Sequence, residues 1–245
     1  MNPFRSLAVL IAIGSLLLPS KSTAALPAGF AEESIGSGWN EPVGMAFGKN
    51  AAGTKDRIYI WEREGRVWIV EDGVKLPAPL IDLSEEVGGW RDYGLLGFAL
   101  DPNFQSNGRI YLCYVVDRHH LLRHGTAQYD PDTNEYFAAT IGRITRYTAR
   151  ASDDFRSVDP ASRHVLLGES LSTGFPILHQ SHGTGHLVFG RDGTLLATCG
   201  DGASYNATDR GGDAGGSYGT QGIQTGIITQ AENIGAYRSQ SLDSL

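Results

Sequence analysis

The chain reads as an all-β protein, a β-propeller of four-stranded antiparallel blades, and three observations predict it. Gly fills 32 of the 245 positions and Pro another 10, so tight turns are frequent and long helices are disfavoured. Short β-branched and aromatic runs alternate with Glu-Gly and Asp-Gly turns, the signature of hairpins. A unit of strand, polar turn and aliphatic strand then returns along the chain at a spacing that suits propeller blades.

The first unit takes Met45-Ala46-Phe47, then Arg57-Ile58-Tyr59-Ile60-Trp61, then Arg66-Val67-Trp68-Ile69-Val70 after Gly65, and Leu80-Ile81-Asp82-Leu83 after the Asp72-Gly73 turn. This is a four-stranded meander. The unit recurs as Gly97-Phe98-Ala99-Leu100, which leads through Asp101-Pro102-Asn103 to Arg109-Ile110-Tyr111-Leu112-Cys113-Tyr114. It recurs again as Gly185-His186-Leu187-Val188-Phe189, which leads through Arg191-Asp192-Gly193 to Leu195-Leu196-Ala197-Thr198. Gly44 to Gly97 is 53 positions and Gly97 to Gly185 is 88, the second offset reading as about two units of 44. Residues 25–245 are therefore expected to hold about four to five blades and to stop short of a closed ring. A sandwich would explain the turn spacing but not the longer period. No helix is expected. Residues 118–139 and 203–235 lack apolar alternation and read as long excursions, where propellers keep their specificity.

Lys and Arg number 20 against 27 Asp and Glu, a net charge of -7, which argues against nucleic acid or an anionic membrane as the main partner. Residues 1–24 read as a signal peptide: Arg5 is followed by an apolar run from Leu7 to Leu18 and by the small residues Ser22-Thr23-Ala24. That run is too short for an ordinary transmembrane helix. The mature protein is expected to be exported, periplasmic or secreted, with no membrane span. Cys113 and Cys199 could close one disulfide in an oxidising compartment, but each lies in an apolar strand-like run where a buried free thiol is equally natural.

The chemistry concentrates in residues 179–202. His182 stands before one strand and Asp201 after its antiparallel return, so a hairpin brings both to the same end of a blade. An imidazole titrates close to neutrality, and a carboxylate beside it orients the ring and stabilises its cation, as a general base requires. Gly183 and Gly185 are expected to leave the ring uncrowded for a flat ligand. A simple His–Asp turn contact is the bland alternative. Asp130-Pro131-Asp132-Thr133-Asn134 begins like a calcium loop, but Glu135 and Ile141 stand where an EF-hand needs Gly and Glu, so it reads as a turn. His119, His120 and His124 could gather a metal, although in a polar excursion they read as solvated. His179, His182 and His186 have helical spacing, yet alternation around Leu187 and Phe189 says strand.

Gly94-Leu95-Leu96-Gly97-Phe98-Ala99-Leu100-Asp101-Pro102-Asn103-Phe104, and His182-x-x-Gly185-x-Leu187-x-Phe189-Gly190-x-Asp192-Gly193 ending in Gly200-Asp201, resemble the glucose/sorbosone dehydrogenase family. Pro42-x-Gly44-Met45-Ala46-Phe47 and Glu62-Arg63-x-Gly65-Arg66-Val67 fit as well. These are soluble quinoprotein sugar dehydrogenases with a six-bladed propeller that binds pyrroloquinoline quinone (PQQ). The resemblance implies that His182 takes the hydroxyl proton of a sugar or polyol while hydride passes to the quinone. It further implies that Asp201 orients His182 and that calcium holds and polarises the cofactor. Asp92 and Asn206 are the candidate substrate contacts. Ser181 stands where the family carries an acid, and the family's cationic clamp for the quinone carboxylates belongs to later blades, beyond Leu245. Two other classes remain open: a propeller binding module without turnover, and a calcium-dependent lactonase-like propeller.

Overall fold

The computed structural model describes residues 26–241; the signal-peptide reading of residues 1–24 lies outside them. Residues 26–34 belong to a separate unit, where Phe30 N donates to Pro27 O at 3.1 Å to close a turn. All the sheets belong to the unit that begins at Ile35.

The first sheet runs β1 (Pro42–Lys49), β2 (Asp56–Glu62), β3 (Arg66–Glu71), with β4 (Val74–Lys75) and β5 (Ile81–Asp82) both pairing with β3. Its fourth row is thus divided between two short strands. The second sheet repeats the plan with β6 (Leu95–Leu100), β7 (Arg109–Val115) and β8 (Thr140–Ala149), whose outer edge is shared by β9 (Val158–Leu167) and β10 (Phe175–Ile177). All pairings are antiparallel. The third sheet is the hairpin of β11 (Thr184–Phe189) and β12 (Leu195–Cys199). Short helices α1 (Phe104–Asn107) and α2 (Arg118–Arg123) interrupt the second sheet's connections, and α3 (Tyr218–Thr225) follows the hairpin.

The lead strands β1, β6 and β11 lie side by side, β6 in the middle, as the inner strands of consecutive propeller blades do. Where the first two blades meet, Phe98 stacks on Tyr59 at 5.8 Å and packs against Trp61 at 5.5 Å. Ile69, Leu112, Tyr114 and Ile141 complete one continuous core, each such buried side chain contributing roughly 1.5–3 kcal/mol. Arg57, fully buried, ties the same two blades together, bonding Glu71 of β3 and Asp154 of the β8–β9 connection, both at 2.7 Å. The hairpin joins through a smaller cluster, Leu187 against Ala99, Cys113 and Ile144, with Phe189 edge-on to Tyr111 at 5.1 Å.

The all-β propeller class and the four-row blade agree with the sequence reading, but the blade count does not. Among the described residues there are two complete blades and one hairpin, not four to five blades. The 88-position offset is one blade: β8 and β9 are 10 residues each, and the excursion between β7 and β8 lengthens the unit further. The expectation of no helix is also corrected. Residues 203–235 contain α3, and Tyr218, Ile227 and Ile228 bury into the main core, so this segment is packed structure and not a solvated loop.

Candidate functional site

His182 and Asp201 meet as the hairpin predicts. His182 precedes β11, Asp201 follows β12, and the ring Nδ1 lies 2.8 Å from Asp201 Oδ1. His182 has φ +59°, a left-handed backbone that L-residues seldom adopt, although His does so more often than most. Two backbone bonds hold it there: Gly200 N donates to Gly183 O at 2.7 Å, and Gly202 N to His182 O at 2.9 Å. A Cβ on Gly200 would lie 2.4 Å from His182 O, so only glycine lets the returning strand approach this closely.

Burial pushes the Asp201 carboxyl up, but the bond from Ala203 N and the His182 ring outweigh it and hold the carboxyl below its usual range. Asp201 is therefore an ionised acceptor at neutral pH, and His182 Nδ1–H donates to it. The basic lone pair is then on Nε2, and the side chain is 47% exposed. An oriented imidazole with an accessible lone pair can remove a proton from a hydroxyl in contact with it.

The surroundings correct one expectation. Gly183 and Gly185 do not leave open space: a Cβ on Gly183 would meet the Tyr93 ring at 2.7 Å, and one on Gly185 would meet Thr198 Oγ1 at 2.3 Å. They admit neighbours that fix the hairpin. Tyr93 is fully buried and supports the backbone beneath His182, a role that its neighbour Asp92 obscured in the sequence. Asp92 is exposed in the turn before Gly94 and acts on Tyr93 and His179 only through its charge. Asn206 is exposed, and its backbone N–H donates to Ser204 Oγ at 3.2 Å. Neither is hydrogen-bonded to the dyad. Ser181 is buried, donating to Ala203 O at 3.2 Å and lying 2.9 Å from His179 Nδ1. His179, also buried, has its pKa lowered, chiefly by that burial. His186 lies on β11, as the alternation predicted, and stacks on Trp61.

Arg238 was not found from sequence. It is buried, and its guanidinium donates to Asp201 O at 3.1 Å; a cation some 37 positions downstream gives no local signal. It lines a cavity of about 180 Å³ beside Asp201, with Phe175, Pro176, Cys199, Gly200 and Ser239. Ligand sites usually measure about 300–1,000 Å³, so this cavity is smaller than an ordinary ligand site. Arg238 is also the one cation lining that cavity, whereas PQQ carries three carboxylates. The proton-transfer groups fit a quinoprotein, while the described residues do not supply a cradle for the quinone. Both cysteines are free, Cys113 buried and Cys199 donating to Gly183 O at 3.4 Å.

Fold and contact together define a propeller whose third inner strand is preceded by a His paired with an Asp. The Glucose / Sorbosone dehydrogenase family profile matches residues 39–222, and the chain belongs to that family. Human Hedgehog-interacting protein is 29% identical over 178 residues, 71% of this chain and 22% of that protein. HIPL2 protein of Arabidopsis thaliana is 23% identical over 206 residues, 74% of this chain and 28% of that protein. Among solved structures, the PQQ-bound aldose sugar dehydrogenase of Streptomyces coelicolor is 20% identical with a TM-score of 0.49, covering 73% of this chain and 43% of that one. The apo-form aldose sugar dehydrogenase of Escherichia coli is 24% identical with a TM-score of 0.44, again covering 73% and 43%. The chain thus spans less than half the length of each. Among the described residues, no helix is long and apolar enough to cross a membrane.

Proposed function

We propose that this chain carries the proton-transfer side of an exported, PQQ-dependent dehydrogenase acting on a sugar or related polyol. The observation that carries the reading is the 2.8 Å His182–Asp201 contact on a strained His backbone, within a chain of the glucose/sorbosone dehydrogenase family. Oxidising a carbinol removes a proton from oxygen and a hydride from carbon. His182 Nε2 takes the proton; Asp201 fixes the tautomer and stabilises the imidazolium that results. Tyr93 and Arg238 hold the backbone on either side of the pair. PQQ, when bound, supplies the two-electron acceptor. Among the described residues no three carboxylates come together at the dyad, so no calcium ligand is assigned here.

The test is dye reduction with sugar, PQQ and calcium. Quinone-dependent reduction supports this reading, and ring opening of a lactone without quinone would replace it with hydrolysis. A second reading, a propeller that binds a protein partner without turnover, is favoured by the 29% identity to Hedgehog-interacting protein. Saturable protein binding with no dye reduction under any quinone loading would establish it.

A further inference from the structure

The excursion between β7 and β8 carries a side-chain cluster that the dehydrogenase reading does not use. His120 lies in helix α2, and His124 is the residue that caps its C-terminus, its N donating to His120 O at 3.0 Å. Their rings stack at 4.3 Å. Glu85, from the turn after β5, reaches the same place, so that one potential ligand atom from each of the three residues lies within 4.8 Å of the others. Among the described residues this is the one such grouping of His, Cys, Asp or Glu.

Two further features suit a cation. Tyr129 packs edge-on against both rings, at 5.6 Å and 5.1 Å, and its hydroxyl donates to Glu85 Oε1 at 2.7 Å. That is the outer-shell bond by which metal-binding carboxylates are aimed. His120 Nδ1 is buried without a hydrogen-bond partner, an orphan that a folded protein rarely tolerates. His119, in contrast, uses its Nε2 to accept from Asp130 N and stacks on Tyr129.

We propose that Glu85, His120 and His124 bind a divalent transition-metal ion of the zinc class, with solvent completing its shell. Two imidazoles and one carboxylate are a donor set for Zn²⁺. Metal–ligand bonds of about 2.0–2.2 Å require the three groups to draw together, which rotation of the exposed Glu85 and His124 side chains provides. Bound there, the ion clips the β7–β8 excursion to the first blade's last turn.

The test is calorimetric titration of the full chain with Zn²⁺, and with Co²⁺ as a visible-absorption probe. One Zn²⁺ per chain is expected, with ligand-field bands of a nitrogen- and oxygen-ligated site for Co²⁺. His124→Gln and Glu85→Gln, both at exposed positions, should each weaken binding by about tenfold or more, and Tyr129→Phe by about tenfold at most. His119→Gln should leave it unchanged, with circular dichroism confirming the fold of every variant. Absence of saturable binding, or affinity retained in either ligand variant, would overturn the site. Neither result bears on dye reduction.

Discussion

The second blade and the β11–β12 hairpin are built in opposite ways. Every residue of β7 after Arg109 is buried, and the blade's edge is sealed by ions. Glu86 accepts from Arg143 at 2.6 Å, from Arg163 at 2.9 Å and from Tyr114 at 2.7 Å. In β12 only Leu195 is even half-buried, and the hairpin touches the core mainly through Leu187. Yet the hairpin carries the dyad. Its geometry is set by two backbone bonds and a glycine approach within the hairpin, with buried Tyr93 and Arg238 supporting the backbone on either side. The core fixes where the hairpin starts, and the strand return fixes where the His182 ring points.

The comparison breaks most sharply at Glu86. Glu86→Ala leaves Arg143 buried without its partner, and breaking a buried pair costs about 3–5 kcal/mol, read as a lower urea midpoint for the blades. The same group sets an acid limit. Burial pushes the Glu86 carboxyl up, but Arg163 and Arg143 outweigh it, and its pKa stands below the ordinary 4.5. A lowered carboxylate stabilises the fold above its unfolded pKa, and that stability is lost as pH falls through the folded value. Stability should hold at neutral pH and fall only below about 4.5; Glu86→Gln should flatten that dependence.

Gly200→Ala attacks the hairpin instead, with an expected cost of about 1–3 kcal/mol. Hydrogen exchange should speed up in residues 182–202 while the strands of the first two blades stay protected. Next in size is an association effect. Val43, Met45 and Phe47 project from one side of β1 and are all exposed, as are Val188 and Leu196 on the hairpin. Apolar surface of this extent marks contact sites, so the chain should self-associate in light scattering, and a Phe47→Lys, Leu196→Lys double variant should do so less. The smallest effect belongs to Asn206→Ala. Its side chain is exposed in a turn, so stability should change by no more than about 0.5 kcal/mol.

Much of this was legible in the chain itself. Strands β1, β2, β3, β6, β7, β11 and β12 all fall on short apolar runs bounded by turn residues. β8 was not legible. Its sequence, Thr-Ile-Gly-Arg-Ile-Thr-Arg-Tyr-Thr-Ala, sets Arg143 where an apolar residue would signal burial, and Arg143 is buried only because Glu86 neutralises it. Missing β8, β9 and β10 turned one long blade into two and inflated the count. The dyad was legible because a hairpin preserves sequence distance as geometry. Tyr93, Arg238 and the Glu85–His120–His124 cluster were not, since each is assembled by chain segments that meet only in the fold.

The account rests on His182 acting as a base whose tautomer Asp201 sets, and paired kinetics of His182→Gln and Asp201→Asn test it most directly. The assay is quinone-dependent dye reduction in protein that binds the cofactor. His182→Gln should lower turnover by about 10²–10⁴ with quinone affinity nearly intact, and Asp201→Asn should lower turnover less, with little change in sugar KM. Undiminished turnover in His182→Gln, or a larger loss at Asp201 than at His182, would contradict it.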